Sequence, residues 1–310
     1  MPQFVDARPS DLLRVFGPRG HAEQPTSNTP DKLNAVIILG GTPIGNLGDA
    51  SPRLREMLET VAVVACEDTR TTSKLLAGLH IENRPRLIAL HEHNEGDRAG
   101  ELLRLAADED VLVLSDAGMP TVSDPGLVLV RAAVEAGIRV SVIPGPSAVV
   151  TALAVSGLPT DRFTFEGFLP RKSSDRRSAF AALEREPRTM VFFESPHRID
   201  ESLADARDVL GEDRPAAVCR ELTKMFEEVK RGTLGELAEW ARDEVRGEIV
   251  VVISGAAARA SVSFEDALAE VARLTASGFG LKEASAQVAD LTGVSKRDLY
   301  QGALGSRPKI

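Results

Sequence analysis

Charged side chains follow a short apolar run at a point where a buried strand would end. Glu67, Asp68 and Arg70 follow the run Val61–Ala65, separated from it by Cys66. Carboxylates and a guanidinium in this place can orient or deprotonate a weakly acidic hydroxyl, or stabilise the oxyanion that forms from it. The same residues have a structural interpretation, in which Asp68 caps a helix and Arg70 is its ion-pair partner. The residues alone leave both interpretations open.

Three Gly- and Pro-rich loops also follow apolar runs, over residues 40–49, 115–126 and 144–148. Because ligands in open α/β sheets bind beyond the carboxyl ends of the strands, these loops are expected to converge on one cleft. Three ordinary tight turns are the alternative. The first loop lacks a G-x-G-x-x-G pattern, and Asn46-Leu47 stands where a phosphate loop needs Lys and Ser or Thr. A nucleoside triphosphatase is therefore excluded, and dinucleotide binding is poorly supported.

Basic residues form one local group and several isolated candidates for contacts with phosphate. Alternatively, these basic side chains do not bind phosphate but form ion pairs with Glu194, Glu221 and Glu227, or are solvated. Since aromatic residues make up only 4% of the chain, extensive base stacking is not expected, and the phenylalanines at 168, 192 and 193 are predicted to be core. The candidate RNA-binding residues are Arg171, Lys172, Arg176, Arg177, Arg198, Arg220 and Lys224.

The sequence gives little support for a metal site. His91 and His93 have the spacing of two ligands on one face of a strand, but no third histidine motif supports them. The two cysteines, Cys66 and Cys219, are too few for a disulfide framework or a cysteine-based zinc site. We therefore predict no metal, and a reducing, cytoplasmic location.

Alternating short strands and helices must position these residues, which predicts an α/β fold with a mainly parallel first sheet. Residues 1–33 carry no periodicity and are predicted to be a flexible extension. An α/β domain is predicted over residues 34–156, and a second one with a more mixed sheet over residues 157–255. Residues 263–305 are predicted to be a helical module with the spacing of a helix-turn-helix.

Composition narrows the possible partners. The 310 residues include 43% hydrophobic residues, and no apolar run approaches the ~20 residues that span a bilayer, so no membrane partner is expected. The net charge of −9 argues against a surface that is uniformly suited to nucleic acid. Any contact with RNA must therefore come from local patches.

Six short sequence strings, taken in their order along the chain, resemble those of a known family. Together they resemble the small-subunit ribosomal RNA (cytidine-2′-O)-methyltransferases of the tetrapyrrole-methylase superfamily, from about Asn34 to the C-terminus. The strings are Thr42–Asp49, Glu67–Arg70, Ser115–Gly126, Pro144–Ala148, Phe192–Arg198 and Arg220–Lys224.

That resemblance implies a bilobal α/β fold plus the helical module, with S-adenosylmethionine in a cleft between the lobes and no metal. It implies methyl transfer to a cytidine ribose in the decoding region of 16S ribosomal RNA, in an assembled small subunit or as naked RNA, by a homodimer. Pro43 is grouped with the cofactor cleft, in a loop that lines its substrate side. The residues matching the cofactor loops are Asp116, Ala117, Gly118, Met119, Ser147 and Ala148.

Two other functions remain open at this stage. One is a small-molecule methyltransferase of the same superfamily that acts on a tetrapyrrole carbon, and the other is a non-enzymatic nucleic-acid-binding protein. The basic group and the helical module count against the first, because a small substrate needs neither. The three long loops would be unexplained in the second.

Overall fold

A computed structural model describes residues 35–243, 245–257 and 263–305, so the predicted extension over residues 1–33 lies outside the described residues. The first half of the chain forms a wholly parallel sheet with the strand order β3-β2-β4-β1-β5. Its central strands β2 and β4 are buried along their whole length, as expected for uninterrupted apolar runs covered on both faces. The strands are β1 (Val36–Gly40), β2 (Val63–Cys66), β3 (Arg86–Ala89), β4 (Val111–Leu114) and β5 (Arg139–Ile143).

Four helices connect these strands: α1 (Pro52–Thr60), α2 (Thr69–Gly78), α3 (Glu95–Leu105) and α4 (Leu127–Glu135). Leu54 and Leu58 of α1 are buried against one face of the sheet, whereas Leu102 and Leu129 are buried against the other. Each crossover thus places a loop at the carboxyl edge of the parallel sheet, where ligands bind in folds of this type.

Helix α3 begins earlier than the apolar pattern indicates. The sequence predicts a start at Glu101, but the structure starts the helix at Glu95. The first turn carries polar residues that contribute no apolar periodicity, so sequence patterning misses it. The fold secures this turn because the buried Glu95 carboxylate accepts hydrogen bonds from the backbone N–H groups of Gly126, Val128 and Leu129, at distances of 2.9, 2.7 and 3.2 Å. Glu95 therefore ties α3 to the loop that precedes α4.

The second half of the chain forms a mixed sheet with the order β6-β7-β10-β8-β9. Strands β6 and β7 are parallel, and the remaining pairs are antiparallel. The helices α6 (Ser173–Ala182), α7 (Ile199–Leu210) and α8 (Leu234–Trp240) pack on one face of it. The strands are β6 (Phe163–Phe168), β7 (Thr189–Glu194), β8 (Pro215–Arg220), β9 (Glu228–Thr233) and β10 (Ile249–Ile253).

Helix α5 (Ala148–Ser156) covers the other face of this second sheet. Its residues Val149, Ala152 and Leu153 share a core with Val250 and other residues of that sheet. The domain boundary predicted at residue 156 places this helix in the first domain, and that boundary stays a prediction. A helix that is apolar on nearly every side has no periodicity to indicate which sheet it faces.

The C-terminal module contains α9 (Phe264–Ala276), α10 (Leu281–Thr292) and α11 (Lys296–Gly305). Ala267, Val271, Val288 and Leu299 pack together in a core made of residues from this module. Gly293 ends α10 in the left-handed conformation, with φ of 76°, and so makes the turn between α10 and α11. Within the described part of the chain, no helix is long and apolar enough to cross a membrane.

Candidate active site

The three Gly- and Pro-rich loops meet at the carboxyl edge of the first sheet. Thr42 and Gly118 exchange backbone hydrogen bonds of 2.8 and 3.2 Å, which join the first loop to the second. Gly41 and Gly145 join the first loop to the third, and a Cβ atom on either glycine would lie 2.6 Å from backbone atoms of the other. No other residue fits such an approach. The loops thus form one continuous surface.

A cavity of about 690 Å³ lies between this surface and the second sheet. Its walls combine apolar side chains with a few convergent polar groups, which is typical of sites for small ligands. One wall comes from the loops and α5, and the other includes Phe193, Glu194, Lys224 and Glu248. The predicted cofactor residues that line the cavity are Ala117, Gly118, Met119, Ser147 and Ala148.

Two predicted cofactor residues lie outside the lining of this cavity. Pro43 is buried, and its neighbour Ile44 contributes to the wall instead. Asp116 turns toward the end of β2, where its carboxylate accepts a hydrogen bond of 3.1 Å from the backbone N–H of Asp68. The backbone N–H of Asp116 in turn lies 3.4 Å from the Glu67 carboxylate. Both residues therefore help to shape the loops rather than the wall.

The predicted catalytic group over Glu67, Asp68 and Arg70 does not line the cavity. Asp68 is the N-cap of α2 and accepts a hydrogen bond of 2.8 Å from the backbone N–H of Arg70. Its hydrogen bonds with the Arg70 side chain and backbone lower the pKa of this carboxyl to about 2. A carboxylate held in this way is a poor proton acceptor, so the geometry favours the structural interpretation for Asp68 and Arg70. Burial raises the pKa of Glu67.

Asp124 lines the cavity, although the sequence does not predict it as a site residue. It lies in the wall beside Ser123, on the loop between β4 and α4. Burial, with a smaller contribution from the charge of Glu67, raises the pKa of the Asp124 carboxyl to about 6. The string Ser123-Asp124-Pro125-Gly126 was the available signal, since a carboxylate beside a tight Pro-Gly turn at a strand end can face a cleft.

The carboxylates of the opposite wall have cationic partners. Glu194 is buried, and its oxygens lie 2.6 Å from Arg198, 2.6 Å from the Ser202 hydroxyl and 2.6 Å from the Ser195 backbone N–H. The Lys224 ammonium lies 2.8 Å from Glu221 and 3.1 Å from Glu248.

The basic group over residues 171–177 divides into two kinds of residue. Arg171 and Lys172 are exposed, as a phosphate-binding patch requires. The prediction for Arg176 is wrong, because its side chain is fully buried and bound to Asp205 at 2.7 Å. Arg177 is half-exposed and lies within 3.2 Å of Asp205 and 3.0 Å of Asp208. Helical periodicity turns Arg176 inward, where it fixes α6 to α7.

The remaining candidates for RNA binding are each engaged with an acid. Arg198 pairs with Glu194, Arg220 with Glu228, and Lys224 with Glu221 and Glu248. Lys224 alone among these three lines the cavity. The paired alternative is thus the geometry observed, and contact with RNA stays a prediction for Arg198, Arg220 and Lys224.

Two aromatic side chains that the sequence predicts to be core lie at the cavity instead. Phe192 is core, as predicted, but Phe168 is 62% exposed and lines the cavity together with Phe193. The two rings meet edge to face with centroids 5.3 Å apart. Phe168 ends an edge strand, and sequence alternation could not show that this end lies over a cavity.

The His91 and His93 rings are also arranged edge to face, with centroids 6.3 Å apart. His91 contacts Asn94, whose side chain bonds the backbone of the turn. Among the residues described here, no group of three His, Cys, Asp or Glu side chains is placed to hold a metal ion.

Comparison with known proteins gives matches over both halves of the chain and over the helical module. Residues 36–238 match the model of the tetrapyrrole (corrin/porphyrin) methylases, and residues 262–307 match that of the RsmI C-terminal HTH domain. The chain is 50% identical over 273 residues to "Ribosomal RNA small subunit methyltransferase I" of Mycobacterium tuberculosis (strain CDC 1551 / Oshkosh), covering 87% of this chain and 95% of that protein. The protein of the same name from Escherichia coli O157:H7 is 46% identical over 278 residues, covering 88% of this chain and 96% of that protein.

Solved structures extend the likeness in fold. A cobalt precorrin-4 methyltransferase matches with a TM-score of 0.54 at 17% identity, covering 74% of this chain and 98% of that one. A diphthine synthase matches with a TM-score of 0.54 at 18% identity, covering 71% of this chain and 90% of that one. At such identities the likeness concerns the fold alone.

Proposed function

This chain belongs to the tetrapyrrole (corrin/porphyrin) methylase family, and we infer that it is a methyltransferase of small-subunit ribosomal RNA. The observation that supports this inference most strongly is the 50% identity to the "Ribosomal RNA small subunit methyltransferase I" of Mycobacterium tuberculosis, over 95% of that protein. The helical module matches a family model of its own, over residues 262–307. The bilobal arrangement around a cavity of about 690 Å³ fits this activity.

The methyl donor in this proposal is S-adenosylmethionine, and the cavity suits it. Because Gly41 and Gly145 approach closely, no side chain stands between the first and third loops where they meet, which is called the seam between the loops. Ala117, Gly118 and Met119 with Ser147 and Ala148 would hold the donor, which supplies a methyl group on a positively charged sulfur. Ile44, Val149, Leu222 and Val250 offer apolar surface for its adenosine.

The acceptor in this proposal is the ribose 2′-hydroxyl of a cytidine in the decoding region of 16S ribosomal RNA. The six strings that resemble the cytidine-2′-O-methyltransferases support it. The exposed face of Phe168 offers a surface on which a nucleobase can stack, which is consistent with an RNA substrate. Arg171 and Lys172 would bind backbone phosphates, and Arg176, being buried, would not.

A homodimer also belongs to the proposal. The resemblance implies it, and β5 is an edge strand of the first sheet that leaves Val142 45% exposed. Val150 of α5 is 57% exposed. Exposed apolar residues at a sheet edge favour association between chains. Light scattering of the full chain should give twice the 33.2 kDa mass of one chain.

Transfer of labelled methyl from S-adenosylmethionine to small subunits lacking the modification tests the function. We expect label on one cytidine ribose after nuclease mapping, with naked 16S RNA compared in parallel. Label on a tetrapyrrole and none on RNA would replace the proposal by the small-molecule activity. A chain that fails to bind the donor in calorimetry would contradict any methyltransferase.

Two glycine variants provide a matched control for the donor site. A Cβ atom in Gly41→Ala would lie 2.6 Å from Gly145 backbone atoms, so the loops must separate and donor affinity should fall. Gly96→Ala adds the same methyl group where nothing lies within 4 Å. Equal loss of affinity in both variants would show that the seam between the loops does not form the donor site.

A further inference from the structure

The cavity contains one carboxylate that differs from all its other acidic groups. Glu194 is paired with Arg198, while Glu221 and Glu248 are paired with Lys224. The charged groups that act on Asp124 are instead the carboxylates of Glu67 and Asp116, which raise its pKa, and a hydrogen bond from Ser115 lowers it. Among the described residues, Asp124 is thus the lining acid that no lysine, arginine or histidine neutralises.

The loop that carries Asp124 is held in an unusual backbone conformation. Its neighbours Thr121 and Ser123 have φ angles of 74° and 62°. Residues other than glycine rarely adopt such positive values. The buried Glu95 carboxylate holds the end of this loop through the backbone N–H groups of Gly126, Val128 and Leu129. Strain maintained by such an anchor is typical of a functional loop, because local propensity alone would not keep it.

We propose that Asp124 is the general base that accepts the proton of the ribose 2′-hydroxyl, a role that rests on the proposed function. The hydroxyl oxygen forms a bond to the methyl carbon as the bond from that carbon to sulfur breaks. The electron pair of the broken bond stays on the sulfur, which becomes a neutral thioether. The hydroxyl proton passes to a carboxylate oxygen of Asp124 and is later released to water.

The surroundings of Asp124 set its protonation for this task. Partial burial, and the charges of Glu67 and Asp116, raise the pKa of its carboxyl, while the hydrogen bond from Ser115 lowers it. The resulting pKa of about 6 leaves Asp124 ionised at neutral pH. It also makes Asp124 a stronger base than an ordinary aspartate. Asp68, with a pKa of about 2, lacks this property.

Asp124→Asn is the first test, with Asp108→Asn, an exposed carboxylate beyond the end of α3, as the matched control. Loss of a general base lowers the rate by about 100-fold or more. We expect that loss in kcat for Asp124→Asn and none for Asp108→Asn. The dissociation constant of S-adenosylmethionine, measured by calorimetry, should stay the same. A full kcat with weaker donor binding would overturn the proposal and make Asp124 a donor ligand.

The pH profile separates a base from a residue that only supports the loop. The wild-type rate should rise with pH around an inflection near 6, and Asp124→Asn should lose that inflection. Glu67→Gln removes a neighbouring negative charge and should move the inflection to lower pH. Ser115→Ala removes the hydrogen bond that lowers the pKa and should move it to higher pH. If Glu67→Gln abolishes the rate and the inflection instead, Glu67 is the base and the proposal is wrong.

A third readout needs no catalysis. Carbon-13 NMR of labelled aspartate carboxyls in the free protein should show one resonance that titrates near pH 6 and disappears in Asp124→Asn. Its titration should shift in opposite directions in Glu67→Gln and Ser115→Ala. An Asp124 resonance that titrates near 4 would contradict the proposal. Failure of the wild-type chain to methylate RNA while this titration is intact would instead refute the proposed function.

Discussion

The acidic residues of the two cavity walls lie in opposite electrostatic environments. On the second-sheet wall, Glu194 is buried and bound by Arg198, Ser202 and the Ser195 backbone. On the loop wall, Asp124 is partly buried, lies near two further carboxylates and has a pKa raised to about 6. The Glu194 carboxylate is thus neutralised by an ion pair, whereas the Asp124 carboxylate keeps its charge without a cationic partner among the described residues.

This difference separates residues that stabilise the fold from residues that are kept for chemistry. Removing one partner of a buried ion pair is strongly destabilising, because the other charge is left uncompensated. Removing an unpaired, unfavourable carboxylate should have the opposite effect on stability and a severe effect on the reaction. Groups with shifted pKa values concentrate at functional sites for this reason. Variants at paired and unpaired acids can therefore test the comparison directly.

The largest expected effect on stability is at Arg176, behind the second-sheet wall. Arg176→Met fills similar volume but leaves the Asp205 carboxylate without its buried partner at 2.7 Å. We expect a loss of about 3–5 kcal/mol in the free energy of unfolding, measured with denaturant. Arg177→Met, on the half-exposed neighbour, should change it far less. Similar losses in both variants would contradict the structural role assigned to Arg176.

Glu194→Gln should have the next largest effect. The amide retains the shape of the side chain but loses the charge-assisted bond with Arg198, which lies 2.6 Å away. Hydrogen bonds to charged groups contribute about 1.5–3 kcal/mol, so we expect a loss of about 2 kcal/mol. The inflection of the pH profile should remain near 6, in contrast to Asp124→Asn. If that inflection vanished, Glu194 and not Asp124 would be the titrating group.

Asp124→Asn should stabilise the protein at neutral pH. Because the folded-state pKa is about 6 against the usual 3.8, the folded chain binds more protons than the unfolded chain between these values. The stability of the wild type therefore falls as pH rises from about 4 to about 6. Asparagine removes this penalty, so the variant should gain about 1–2 kcal/mol above pH 7, after a reduction for solvent screening.

The same denaturation series at pH 4, 5, 6 and 7 checks the sign. The difference between variant and wild type should be smallest at pH 4 and reach its full size above pH 6. Asp108→Asn should show no such trend. A variant that is less stable than the wild type at every pH would mean that Asp124 supports the loop.

The sequence predicts the sheets well because their strands are short, apolar and bounded by Gly and Pro. The first sheet is parallel and the second is mixed, as predicted. The start of α3 at Glu95 and the packing of α5 on the second sheet were missed. Both depend on tertiary contacts, namely a buried carboxylate shared between loops and a choice between two apolar faces.

For the site, too, the sequence predicts some features and not others. Glycine at positions 41, 118 and 145 indicates loops that approach closely, and the structure brings these loops together. Which charged side chain faces the cavity is decided by loop conformation, which leaves no periodic signal. The position of Asp68 after a strand therefore predicts a catalytic role for it, whereas no periodic pattern in the sequence distinguishes Asp124 within the second loop.

The smallest expected effect concerns the exposed part of the basic group. Arg171→Glu with Lys172→Glu should raise the KM for the small subunit several-fold without changing the affinity for S-adenosylmethionine. Each phosphate contact on single-stranded RNA contributes about 0.7 to the slope of log affinity against log salt. Losing two contacts should therefore lower that slope by about 1.4. Arg53→Glu with Arg104→Glu makes the same change in net charge on exposed residues of α1 and α3. If both pairs of substitutions lower the slope equally, the effect is one of total charge and residues 171–172 form only a solvated surface.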